Sequence, residues 1–186
     1  MSTPSKISVQ NALGQFPPIY SHYAWWVRSV EDDILRMEFG DPYLRIREPR
    51  PDADAVEGVL ALNRARRLVI PTGIWSLFVA DGLWTVNATG LSSSRGDKNA
   101  TNLRRTLSQL DGQRLTDVQF IEEADEWIFK FDLAGELIIR SDASLPDAWQ
   151  WTLFLKSGSR VSYYNKSDVR LTEASLQLGK IGQMPA

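Results

Sequence analysis

His22 is the only histidine in the chain, and there is no cysteine. Those two facts remove thiolate zinc sites, disulfides, cysteine nucleophiles and paired-histidine metal faces. A Ser-His-Asp triad would have to use His22 itself, close to a loose N-terminal segment, so this residue reads as structural. Carboxylates cluster at Glu31, Asp32 and Asp33 and again at Glu122, Glu123, Asp125 and Glu126. Paired acids divide acid and base roles when an apolar pocket splits their pKa values. Both clusters fall between expected strands, where solvent keeps carboxylates ionised, and they read as turn residues.

The glycines make no phosphate cradle, since neither G-x-G-x-x-G nor G-x-x-x-x-G-K-[ST] occurs. The densest basic region comprises Arg45, Arg47 and Arg50, followed by Arg64, Arg66 and Arg67. With Tyr43 and Trp84 beside them, these residues have the chemistry to hold phosphate and stack bases. Glu48, Asp52, Asp54 and Glu57 neutralise the same region, and the net charge of −2 provides no long-range field toward nucleic acid or an anionic membrane. Nucleic-acid binding is therefore the weaker reading. No catalytic motif is present, and neither an enzymatic activity nor a cofactor is expected.

These side chains must be positioned by a sheet. At 186 residues, 43% hydrophobic and 24% charged, the chain has the composition of a soluble globular protein. It has no apolar run long enough to span a bilayer and no leader pattern at Met1, so a cytoplasmic location is expected. Residues 1–20 read as a tail or strap. Ala24 to Val30 reads as a first strand. Leu35, Met37 and Phe39 alternate with Arg36 and Glu38, and Tyr43 to Arg47 is expected to return beside them as a hairpin. Residues 48–66 read as a long loop. Arg67 to Ile70, Trp75 to Val79 and Leu83 to Val86 read as strands, the last two joined by a tight turn at Asp81-Gly82. Residues 88–98 have a linker composition. Leu103, Leu107 and Leu110 then mark a helix over 99–110.

The second half repeats the first. Trp75-Ser76-Leu77-Phe78 recurs as Trp151-Thr152-Leu153-Phe154; Leu35, Met37 and Phe39 are matched by Trp127, Phe129 and Phe131; Leu44 and Ile46 are matched by Leu137 and Ile139. Three strands in common order point to a duplication. The expected fold is mainly β (α+β), with two homologous antiparallel sheet units related by a pseudo-two-fold and a bridging helix near 99–110. Its parts are a segment 1–20, a first repeat 21–88, linker and helix 89–112, a second repeat 113–174 and a tail 175–186, forming one compact domain. Val169 to Leu171 is expected as a last edge strand. Sandwich and continuous sheet are both compatible with this pattern.

Phe39-Gly40-Asp41-Pro42-Tyr43-Leu44, Gly73-Ile74-Trp75-Ser76-Leu77-Phe78-Val79, Leu110-Asp111-Gly112-Gln113-Arg114-Leu115 and Phe129-Lys130-Phe131-Asp132, with the final Trp151-Thr152-Leu153-Phe154, resemble a group of uncharacterised small bacterial β proteins. The pattern, G-x-W-x-L-x-I, L-x-G-Q-x-L and F-x-F-D, covers roughly residues 30–160. That group is similar to immunity-type proteins encoded beside toxins or in defence neighbourhoods, and the resemblance implies a protein partner of that kind.

The functional expectation is a non-catalytic cytoplasmic binding protein of immunity or accessory type that occludes a protein partner. Its candidate contact residues are Arg45, Arg47, Arg50, Asp52, Asp54, Arg64, Arg66 and Trp84, centred on the loop 48–66. The alternative is a small-ligand or nucleic-acid module using a cleft between the repeats. A homodimer is left open.

Overall fold

The computed structural model describes residues 3–30, 34–49, 65–145, 148–166 and 168–174. The turn acids Glu31, Asp32 and Asp33, most of the loop 48–66 and the tail 175–186 lie outside the described residues. Strands form where β-branched, aromatic and aliphatic residues alternate with polar ones. In chain order they are β1 (Ser5–Ile7), β2 (Ala24–Val30), β3 (Ile34–Phe39), β4 (Tyr43–Arg47), β5 (Leu68–Thr72), β6 (Trp75–Val79), β7 (Leu83–Ala88), β8 (Leu91–Ser94), β9 (Leu115–Ile121), β10 (Glu126–Phe131), β11 (Glu136–Arg140), β12 (Trp151–Phe154), β13 (Arg160–Tyr163) and β14 (Val169–Thr172). Among the described residues two α-helices accompany them, α1 (Val9–Leu13) and α2 (Ala100–Leu110). All the pairings between these strands are antiparallel, and the protein is mainly β with minor helix.

The strands form a large sheet of seven, ordered β1-β14-β13-β12-β6-β3-β2, a small sheet of five, ordered β8-β7-β11-β10-β9, and a separate two-stranded arm, β4-β5. The segments expected as independent units therefore lend strands to each other. The meander β2-β3-β6 is continued by β12-β13 from the second half, and β9-β10-β11 is continued by β7-β8 from the first. The two tryptophan-led stretches end up as neighbours, with Leu77 directly opposite Leu153.

The exchange originates at Asp81-Gly82, where a tight turn was expected. Gly82 does not adopt a positive φ, and the chain passes on from the large sheet to the small one. A Cβ at Gly82 would lie 2.7 Å from Ile139 Cγ2 and 3.1 Å from the Gln150 carbonyl oxygen, so this glycine permits a close crossing. The equivalent Ser157-Gly158 does make the turn, with Gly158 at φ +82 and β12 paired to β13.

A second correction concerns the expected β3–β4 hairpin. β3 pairs with β6 on that side, while β4 pairs with β5. β3 and β6 are largely covered on both faces and complete each other's backbone hydrogen bonds inside the sheet, whereas β4 is exposed almost throughout. β14 likewise is no edge, because β1 pairs along its outer side.

The N-terminal segment acts as a strap. Ala12, Phe16 and Ile19 are buried, and the Phe16 ring lies 5.5 Å from Phe129, 5.9 Å from Trp151 and 6.4 Å from Trp127. Trp127 of the small sheet meets Trp151 of the large sheet edge to face at 4.9 Å, so the two sheets stack as a sandwich over one shared core. The Tyr163 hydroxyl donates to Asp125 Oδ1 and ties the sheets at one rim. Helix α2 begins where the Asn99 side chain accepts from the Asn102 N–H at 3.0 Å. It packs on β2 of the large sheet and on β7 and β8 of the small one, bridging the layers as the sequence suggested.

Candidate functional site

Chemistry gathers on the outer face of the large sheet. Directly opposed residues cross all its strands in one row, from Arg28 through Arg36, Phe78, Thr152, Ser162 and Arg170 to Lys6. Cations occupy the two ends. In the middle the Thr152 and Ser162 hydroxyls satisfy each other at 2.8 Å. At the far end Arg170 donates to Asp168 at 2.7 Å and lies 4.1 Å from the Tyr164 ring centre. That hydrogen bond to Asp168 raises the Arg170 pKa above its ordinary value.

The near end is more tightly built. Arg36 is 8% exposed and Glu38 is fully buried. Arg36 Nε donates to Glu38 Oε1 at 2.6 Å, while its Nη2 lies against the same oxygen without forming a hydrogen bond. Glu38 Oε2 accepts from the Gly73 N–H at 2.9 Å and from the Ser76 hydroxyl. A carboxylate with both oxygens engaged compensates a desolvated guanidinium as far as a buried pair can. Gly73 is required for this approach, since a Cβ there would be 2.4 Å from the Phe39 carbonyl oxygen.

Trp26 completes the cluster through a β-bulge. Trp25 pairs with Glu38 and Arg28 with Arg36, leaving Trp26 and Val27 both opposite Met37. Trp26 takes a φ of +56, rare for so bulky a residue. Asp111 follows directly on α2, and burial raises the pKa of its carboxyl group. The bulge turns Trp26 onto the arginines: Arg28 lies 3.5 Å and Arg36 4.7 Å from its ring centre, and Arg36 also lies 4.8 Å from that of Phe78. Each such stack contributes about 0.5–2 kcal/mol, more where water is excluded. Burial first, and the Arg36 charge second, lower the Arg28 pKa. Arg28 Nε has no hydrogen-bond partner among the described residues.

Above this face stands the arm. Tyr43, Arg45 and Thr72 of the arm enclose, together with Arg36, Ser76, Phe78 and Phe154 of the sheet, a cavity of about 440 Å³. The arm's other face is apolar and open: Leu44 pairs with Pro71 and Ile46 with Val69, and Leu44, Ile46 and Val69 are 68%, 59% and 57% exposed. Arg67 Nε bonds both Glu48 oxygens, at 3.1 and 2.9 Å, in an exposed pair worth at most about 1 kcal/mol.

Of the residues expected to make contacts, Arg45 and Arg47 share one side of β4, and Arg66 lies just before β5. Arg50, Asp52, Asp54 and Arg64 lie outside the described residues. Trp84 must be corrected. It is 1% exposed and paired to Ile139 within the small sheet, so it belongs to the core and offers no surface to a partner. The space between the two sheets is filled by aromatic side chains. Sequence reasoning missed Trp26, Arg36, Glu38 and Ser76. The one available signal was that Phe78 and Phe154 place apolar side chains on the face opposite Leu77 and Leu153, which marks these strands as covered on both sides.

Among the described residues no group of His, Asp or Glu is placed to hold a metal ion, and no helix is long and apolar enough to cross a membrane. Comparison of the chain with family models, with curated proteins and with solved structures finds no match.

Proposed function

We propose that the protein is a non-catalytic, cytoplasmic binding protein of immunity or accessory type that occludes a protein partner through the β4–β5 arm. The observation that supports this reading is the arm itself, a hairpin outside both sheets that presents Leu44, Ile46 and Val69 to solvent. An isolated hairpin is marginal in water, and a contiguous apolar face on one is a liability unless something covers it. Arg45 and Arg47 lie on the opposite side of β4, so the apolar face is made by Leu44, Ile46 and Val69. The partner surface of matching chemistry is an apolar patch.

The test cross-links the protein in its native host, identifies the partner and rebuilds the complex from the two purified proteins. Leu44→Asp with Ile46→Asp weakens binding at least tenfold and leaves the unfolding midpoint unchanged, because both side chains are already in water. A complex that ignores both substitutions would exclude the arm. A protein that stays alone, or pairs only with itself in sedimentation, overturns the reading.

A further inference from the structure

The cavity under the arm carries an inference independent of the partner. Its volume of about 440 Å³ falls in the range of small-molecule sites, about 300–1,000 Å³. Among the described residues its lining contains two arginines, Arg36 and Arg45, and no acidic side chain. Glu38 stands behind the lining with both oxygens committed, one to Arg36 and the other to Gly73 and Ser76. Stacking between Trp26 and Phe78 holds the Arg36 plane, so this guanidinium is fixed before any ligand arrives. Arg45 makes no hydrogen bond or ion pair among the described residues and is exposed at the arm's side of the cavity.

The charges indicate the valence. Glu38 neutralises Arg36, so the surplus in the cavity is the single charge of Arg45, which suits a monoanion better than a dianion. Tyr43, Thr72 and Ser76 add polar atoms to the wall, and the rest of it is apolar: Phe78 and Phe154 meet edge to face at 5.2 Å, with Ile74 and Leu155 beside them. We propose that this cavity binds a small organic carboxylate with a ring-sized apolar body, the carboxylate between Arg36 and Arg45 and the body on Phe78 and Phe154. Such a ligand would touch both the sheet and the arm, fixing the arm against the sandwich.

Benzoate is the probe, titrated into the intact protein while calorimetry and the arginine Nε–H resonances are followed. The site predicts saturable binding in the millimolar range or tighter and displacement of the Arg36 resonance. Arg36→Gln would strand Glu38 and risk unfolding, so the informative variant is Arg45→Gln, on an exposed side chain, which weakens benzoate at least fivefold. Arg104→Gln, on α2 away from the cavity, leaves binding unchanged. The proposal is overturned if benzoate does not bind at millimolar concentration or if Arg45→Gln binds it equally well. Benzyl alcohol or inorganic phosphate binding as tightly as benzoate overturns it as well. Every arm uses the protein alone, so a failed search for a protein partner would not touch the result.

Discussion

Glu38 shows how much one side chain can decide when charge is taken out of water. It is the carboxylate paired with the buried Arg36, and removing one member of such a pair typically costs about 3–5 kcal/mol because the other is left uncompensated. Glu38→Ala should therefore destabilise the protein by about that amount, and Arg36→Met by a comparable one. The double variant Arg36→Met/Glu38→Leu should cost clearly less than the two singles together, since no charge remains to strand. Urea unfolding of the four proteins closes the cycle, and strictly additive costs would show that the pair is not coupled. In sequence, Arg36 and Glu38 alternate with Leu35, Met37 and Phe39, the pattern of a strand with one face in water. Alternation fixes which residues share a face; it carries no information on whether a distant segment covers the second one. Here that face is buried at Arg36, Glu38, Ser76, Thr152 and Ser162. The converse holds in the arm, where Leu44 and Ile46 alternate just as regularly and their apolar side is left in water.

Elements defined by local spacing were readable, and those defined by their partners were not. Helix α2 follows from Leu103, Leu107 and Leu110 on one stripe and from the small polar residues ahead of it. Its start is reinforced by Asp97, whose carboxylate accepts from the Asn99 N–H at 2.9 Å. That hydrogen bond lowers the Asp97 pKa, with the Asn102 and Ser93 side chains adding to the effect against desolvation. A carboxylate depressed on folding contributes stability above its unfolded pKa, about 3.9, and loses it as pH falls through the lower folded value. The advantage of the wild type over Asp97→Asn should therefore be full near neutral pH and shrink in the acid range below the ordinary carboxylate pKa. Thermal unfolding at a series of pH values checks this, and an advantage that does not change with pH would show that the charge is irrelevant. By contrast, Asp81-Gly82 and Ser157-Gly158 look alike as dipeptides, yet only the second turns. What separates them is Ile139 and Gln150 packed against Gly82, a contact between residues far apart in the chain.

At the scale of the whole molecule, the mainly β, antiparallel character was visible as alternating strands, but the exchange of strands between halves was not. Hydrophobic alternation in β7 is satisfied equally well beside β6 or beside β11, and the crossing at Gly82 selects β11. In the folded protein the first half lacks the β12 ladder that covers β6, and the second lacks the β7 ladder that covers β11. Each half alone would therefore expose the open edges of central strands together with half of the Trp84, Trp127 and Trp151 core. If the halves were autonomous units, a chain divided in the linker would give two folded products. The pairing implies the opposite: fragments 1–98 and 99–186, produced separately, should each lack a cooperative unfolding transition and near-ultraviolet circular dichroism from ordered tryptophan. Mixing them should restore both signals with equimolar stoichiometry, because all the contacts across the β6–β12 and β7–β11 ladders are noncovalent. Cooperative unfolding by either fragment alone would mean that its sheet closes without strands from the other half, and the exchange would then not be what stabilises the fold. Reassembly should also bring back the outer face, since Arg36 and Phe78 come from one fragment and Thr152 and Phe154 from the other.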